Sequence, residues 1–173
     1  MKDFSGQVLF LDRNDINTDE IIPAKYLTEN SKEALKPHIL EDLHLKGFNH
    51  ENDIKGKNII VTKANFGCGS SREHAVWVFE VNEINVVIAE SFARIFRQNM
   101  FNCGMLAIEL SSEDIEALFS LGPQAMLTVD MEHNLITAEN EQDSKAAITF
   151  TLNEFDRELV LAGGWLAFAD KKY

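Results

Sequence analysis

Three short apolar runs separated by helix-sized segments occupy residues 57–110, and they leave this chain few architectures. KNIIVTKA (57–64), INVVIAE (84–90) and MLAIEL (105–110) have the length and β-branched content of strands. INVVIAE is apolar almost throughout, as suits a strand covered on both faces. Between the first two lies a glycine-rich stretch that passes into helical apolar spacing from about Arg72, with Ala75, Val78, Phe79 and Val81 largely on one side. Between the second and third, SFARIFRQNMFN (91–102) reads as an amphipathic helix, with Ser91 as N-cap and Gly104 as stop signal. Strand, helix, strand, helix, strand at this spacing implies parallel strands joined by right-handed crossovers.

The rest of the chain attaches to that unit. GQVLFLD (6–12) reads as a strand. RNDINTDEIIPAKYL (13–27), rich in Asn and Asp and carrying Pro23, reads as a loop. SKEALKPHILEDL (31–43) has helical composition interrupted at Pro37, and 44–53 is polar and turn-like. SSEDIEALFSLG (111–122) opens with serines and acids that suit a helix N-terminus. Residues 125–139 and 144–164 show strand-like alternation broken by turns, and Gly163-Gly164-Trp165 suits a turn into a last short element. The expected class is α/β, a parallel centre flanked by antiparallel β segments. An α+β layout fits the same pattern, and composition does not decide between them.

At 173 residues the chain has the size of one domain, and 1–173 is expected to form a single one. Its 16 Lys and Arg against 28 Asp and Glu give a formal charge of -12. That balance argues against nucleic acid or an anionic membrane surface as partner, because both are held by clustered positive charge. It leaves room for a local basic pocket. Two cysteines cannot build a disulfide framework, the start MKDFSGQVLFLDRND lacks the apolar stretch of a secretory signal, and no apolar run is long enough to cross a bilayer. The expected setting is cytoplasmic.

Chemistry concentrates in FGCGSSREH (66–74). Gly67 and Gly69 permit backbone conformations closed to other residues and let a ligand approach the main chain. Ser70 and Ser71 follow where the chain turns towards a helix, whose free N–H groups favour an anion. Arg72 adds a planar fork that pairs with a carboxylate through two parallel hydrogen bonds. The plain reading is that the serines cap a helix and the glycines make a turn. Glycines, two serines and an arginine together instead describe a pocket for a small anion with a hydroxyl aimed into it. A phosphate rivals a carboxylate there, although the lysine of a P-loop is missing.

FGCGSSREHA resembles the domain-four signature of the aconitase superfamily, in particular its free-standing small subunits. Two further blocks match in order: NTDEIIPAKYL (17–27) upstream, and VVIAESFARIFRQNMFNCGML (86–106) downstream, ending at an Asn-x-Gly turn. The resemblance covers roughly the first two-thirds of the chain. It implies a swivelling domain that works with a large subunit, as a heterodimer or heterotetramer. The activity implied is movement of a hydroxyl between adjacent carbons of a hydroxy di- or tricarboxylate by dehydration and rehydration. A [4Fe-4S] cluster on the large subunit acts as Lewis acid; Cys68 and Cys103 are too few to hold one here, and no metal is expected on this chain.

By the same resemblance Ser70 is the catalytic base that removes a proton from the carbon beside a carboxylate. Ser71, Arg72, Gly69 and Thr28 form the substrate-binding set, with Arg72 also helping to hold Ser70 as an alkoxide. Gly67, Cys68, Thr18 and Asp19 shape the loop, and Asn17 stands where the motif has Asp. Glu73 and His74 orient the first helical turn. Arg94 and Asn99 read as solvated helix surface, with the active-site face or the partner as the alternative. Cys68 reads as a packing residue; a zinc site of Cys68, His74 and Cys103 has no paired-ligand spacing behind it.

In this family the residues after the Tyr-Leu of the upstream block help to select the substrate's variable arm. Tyr26-Leu27-Thr28-Glu29 contains no Arg, and Glu29 would repel a third carboxylate. That implies a smaller or apolar arm, such as that of isopropylmalate, with Ile21, Ile22 and Leu27 as its wall. A methyl-substituted malate, such as 2,3-dimethylmalate or citramalate, fits the same residues, and a non-catalytic anion-binding module that reuses the glycine loop is the alternative outside the enzymes.

Overall fold

The computed structural model describes residues 2–173. Among them, seven strands form one sheet in the order β4-β3-β2-β1-β5-β6-β7. The strands are β1 (Ser5–Leu11), β2 (Lys57–Thr62), β3 (Val86–Ala89), β4 (Leu106–Glu109), β5 (Met126–Asp130), β6 (Leu135–Glu139) and β7 (Lys145–Thr149). β1 to β4 run parallel, each beside its predecessor, and β5 to β7 form an antiparallel meander. The class is α/β, and the antiparallel strands all lie on one flank.

β1 is the seam between the halves. It pairs in parallel with β2 from Gln7 to Leu11, yet holds β5 only through Ser5, Gly6 and Gln7. A break in register between Gln7 and Val8 bends the strand away from β5.

Burial follows the two sheet types. All four residues of β3 are fully buried, because helices cover both faces of the parallel half. In β6 only Ile136 and Ala138 turn inward, while Thr137 and Glu139 face solvent. The crossover helices are α3 (His74–Val81) and α4 (Arg94–Asn102); α5 (Ser112–Phe119) links β4 to the meander. α6 (Glu154–Ala162) and α7 (Trp165–Lys172) close the chain, and no helix among the described residues is long and apolar enough to cross a membrane.

Several local expectations are corrected. Residues 13–27 hold a short helix, α1 (Thr18–Ile21), not only loop. Asn17 caps it by accepting from the Glu20 N–H at 3.0 Å, while the Glu20 carboxylate accepts from the Asn17 N–H at 3.1 Å. The helix α2 is a single turn (Lys32–Leu35) before Pro37, which sits in a tighter turn that follows. Ser91 does not cap α4. Ala93 occupies that position, and the Ser91 hydroxyl accepts from the Asn65 N–H at 2.8 Å. Residues 154–162, expected to alternate as strand, form α6 behind Asn153, whose side chain accepts from the Asp156 N–H.

Candidate functional site

The glycine loop lies at the carboxyl ends of the parallel strands, where open α/β sheets commonly bind their ligands. It is laced between the segments that leave β1 and β3. Gly67 N–H donates to the Ile16 carbonyl and Thr18 N–H to the Cys68 carbonyl, both at 2.8 Å. On the other side Phe66 N–H donates to the Ser91 carbonyl at 3.1 Å, and Ala93 N–H to the Phe66 carbonyl at 3.0 Å. These bonds continue the sheet beyond its strands and fix the loop without helical structure.

An aromatic floor supports it. The buried Phe66 ring stands 6.0 Å from Phe79, 6.3 Å from Phe92 and 5.5 Å from Phe96, the last two edge to face. Gly67 has φ +80, and a side chain there would run into the Phe96 ring. Gly69, at φ +102, passes close over Thr18, where an added Cβ would meet the threonine hydroxyl at 3.2 Å. Gly67 is therefore required by position as well as by conformation, and Gly69 chiefly by conformation.

The serines do not cap α3. That helix starts at His74, with Glu73 before it in helical geometry and making no side-chain cap bond. The chain up to Ser70 is still bonded to the β1 side: the Ser70 N–H donates to the Thr18 hydroxyl at 3.0 Å. It cannot turn helical until that edge is released. Ser70 and Ser71 consequently stand exposed on a stretch without regular secondary structure.

Arg72 is held by Asp19, its Nη1 donating to Oδ1 at 2.7 Å. The arginine side chain is 15% exposed and the aspartate 65%, so the guanidinium lies against the protein while its partner faces water. The buried Nε has no hydrogen-bond partner among the described residues. One bond to Asp19 leaves most of the five-donor fork unspent. Asn99 Nδ2 donates to the Ser71 carbonyl at 3.3 Å, so it serves the loop instead of lying on a solvated face; Arg94 is exposed. His74 packs its ring against Trp77 at 4.7 Å.

Thr18 is 1% exposed and belongs to the capped turn of α1. Burial raises the Glu20 carboxyl, but the Arg13 hydrogen bond and charge and the Asn17 N–H outweigh it, leaving the pKa below the ordinary range. The capped turn is thus tied through Arg13 to the exit of β1. The pattern Asn-x-x-Glu (17–20) is a capping-box signal that sequence reasoning could have used to find this helix.

The upstream residues divide. Ile21 and Ile22 are fully buried core residues and cannot wall a substrate. Leu27 is half-buried and Thr28 exposed. They follow a turn fixed by Tyr26, whose ring stacks on His38 at 3.8 Å and whose hydroxyl donates to Glu41 at 3.2 Å. Among the described residues no hydrogen bond joins Thr28 to 66–74.

Neither cysteine is poised for chemistry. Burial, with Asp15 nearby, pushes the Cys68 thiol up. Burial and the Glu80 charge push Cys103 up to about 11. Among the described residues no three His, Cys, Asp or Glu side chains are placed to hold a metal ion, so Cys68, His74 and Cys103 are not assembled into a zinc site. The donor set does not fit an iron–sulfur cluster either, since two free cysteines fall short of the thiolate cage such a cluster needs.

Residues 3–113 match the profile of the aconitase C-terminal domain. The chain is 36% identical over 171 residues to the 3-isopropylmalate dehydratase small subunit of Pseudoalteromonas translucida, covering 92% of this chain and 84% of that one. It is 40% identical over 156 residues to 3-isopropylmalate dehydratase small subunit 2 of Deinococcus radiodurans, covering 90% of this chain and 71% of that one. Among solved structures it is similar to 3-isopropylmalate dehydratase of Methanocaldococcus jannaschii, with TM-score 0.77 and 28% identity over 97% of this chain and 93% of that one.

Proposed function

We propose a function from one premise: this chain belongs to the aconitase C-terminal domain family. Its relatives named 3-isopropylmalate dehydratase small subunit support a small-subunit role in an aconitase-type hydro-lyase. The finer reading is that it isomerises 2-isopropylmalate to 3-isopropylmalate through 2-isopropylmaleate, a step of leucine biosynthesis, and does so only with a large subunit. Residues 1–173 act as one swivelling domain that carries its loop to that partner. The two free cysteines and the absence of a disulfide among the described residues suit a reducing, cytoplasmic setting.

The observation that carries this reading is the pair of exposed serines, Ser70 and Ser71, beside the largely buried guanidinium of Arg72, on a loop bonded to three chain segments. Ser70 is the base that takes the proton from the carbon beside a carboxylate. A serine hydroxyl is a poor base in water and needs donors and positive charge around the oxygen. Arg72 supplies the charge, and with the main-chain N–H groups of Ser71 and Arg72 it receives the substrate carboxylate. Asn99 steadies the Ser71 peptide from behind. Gly69 lets the substrate close on the main chain.

The [4Fe-4S] cluster of this reading belongs to the large subunit, because this chain's two cysteines are too few to hold it. When bound there, it supplies the Lewis acid that activates the leaving hydroxyl. Thr28, exposed after the Tyr26 turn, contacts the variable arm, and the neighbouring Glu29 disfavours a third carboxylate. An apolar arm is the consequence.

The test is an anaerobic complex of this chain with a cluster-loaded large subunit, assayed for hydration of 2-isopropylmaleate, dimethylmaleate and cis-homoaconitate. The reading expects isopropylmaleate to have the highest kcat/KM and cis-homoaconitate the lowest. Preference for dimethylmaleate would correct the substrate, and no turnover of any by an intact complex would remove the hydro-lyase reading.

A further inference from the structure

We propose that Thr18 is the positioning residue for Ser70, holding it in register through its hydroxyl; this rests on the reading of Ser70 as the base. The loop that carries Ser70 has little preference of its own. Gly67 and Gly69 flank Cys68 with positive φ, and helical pairing begins only at His74. Something outside the loop must therefore fix the serine.

Thr18 meets that need from two atoms. Its main-chain N–H donates to the Cys68 carbonyl at 2.8 Å, and its hydroxyl oxygen accepts the Ser70 N–H at 3.0 Å. The two bonds straddle Gly69, so the stretch from Cys68 to Ser70 is clamped on one residue. The clamp depends on the missing side chain at 69, where a Cβ would press against the same hydroxyl at 3.2 Å.

Thr18 is itself immobile. It is buried, it opens the capped turn of α1, and the cap's glutamate is paired with Arg13. Few polar side chains are as deeply buried as Thr18, and burying a hydroxyl is costly unless it is hydrogen-bonded. Its bond to Ser70 meets that cost. The consequence for chemistry is specific: the Ser70 N–H is already engaged, so donors to a ligand or to a Ser70 alkoxide must come from Ser71 and Arg72. Thr18 touches neither substrate nor reacting atom in this account; it acts only through where Ser70 stands.

The experiment compares Thr18→Val, Thr18→Ala and Thr18→Ser, first by amide hydrogen exchange in the full chain and then by kinetics in the complex with the cluster-loaded large subunit. Valine keeps the shape and removes the acceptor; alanine also removes the acceptor and demands no room, so a folding defect peculiar to valine does not decide the result. In both, exchange at the Ser70 amide should quicken about tenfold. The Gly67 amide, bonded to Ile16, should keep its rate. In the complex kcat should fall on the order of 10²-fold while KM stays within about threefold. Thr18→Ser, which restores an acceptor without the methyl, should recover most of the lost kcat and the Ser70 protection.

Unchanged Ser70 exchange in the valine and alanine variants overturns the proposal. So does a kcat loss that serine fails to recover in a folded chain. If the wild-type complex turns over no substrate, the hydro-lyase reading falls instead, and the exchange measurement still decides whether Thr18 holds Ser70.

Discussion

At the scale of single residues, the site depends on positions where one atom more or less decides the geometry. Gly67 is the sharpest case: its positive φ disfavours any side chain, and the Phe96 ring occupies the space that side chain would need. Gly67→Ala should therefore cost at least about 2 kcal/mol of stability, as strain and overpacking add. Urea unfolding would show it as a lowered midpoint, and an unchanged midpoint would mean that loop and floor are looser than described. The glycines, serines and Arg72 were legible in the sequence because their chemistry stands in one run of residues. Thr18 was expected to brace the loop, but its atom-to-atom pairing with Ser70 was not readable. The two residues are separated by 52 positions, and only the parallel pairing of β1 with β2 brings them together. Ile21 and Ile22 were misread as a substrate wall because apolar character does not say which side of a short helix meets the core.

At the scale of elements, helix ends and ion pairs set how the pieces join. Lys2 and Lys32 both reach Glu80, at 2.9 and 2.7 Å, and tie the N-terminal residues and α2 to α3. Burial works against the Glu80 charge, but the two lysines outweigh it and hold its pKa below the ordinary value. A depressed carboxyl pKa contributes stability that is full above the unfolded value and is lost as pH falls through the folded one. Glu80→Gln should thus be less stable than wild type by about 1 kcal/mol near pH 7, a modest figure because Lys32 is largely solvated. The gap should close as pH drops below about 4.3, the ordinary glutamate value. Thermal unfolding of both proteins across that range checks it, and a gap that persists at low pH would show that the pair is not its source. The β-loop-α succession over residues 57–110 was readable because alternation of period and apolar content leaves few other structures. Ser91 misled because its hydroxyl is taken by the Asn65 N–H, 26 residues away in the chain, a contact that local capping signals do not reveal. The helix α6 was hidden because strand-like alternation runs into it from residues 144–152, although Asn153 and Gly163 mark its two ends.

At the scale of the whole molecule, the sheet's two halves divide the labour. The parallel half gathers three chain segments at its carboxyl edge and builds the loop there; the antiparallel strands form the other flank, while α6 and α7 pack against α4 and α5 lies against β2 and β7. The parallel centre and the antiparallel additions were both legible in the pattern of apolar residues. Their arrangement on one flank was not, because it depends on β1 turning away from β5 after Gln7. The net charge of -12 did not point to Arg72, whose guanidinium is held at the loop by Asp19. On the proposal made above, Ser70 on this chain is the base for chemistry completed by a large subunit. The most direct measurement is hydration of 2-isopropylmaleate by the cluster-loaded complex, with wild type beside Ser70→Ala. Turnover should fall on the order of 10³-fold or more in Ser70→Ala, with the complex and cluster still intact. Turnover retained by Ser70→Ala would contradict it and move the base to the partner.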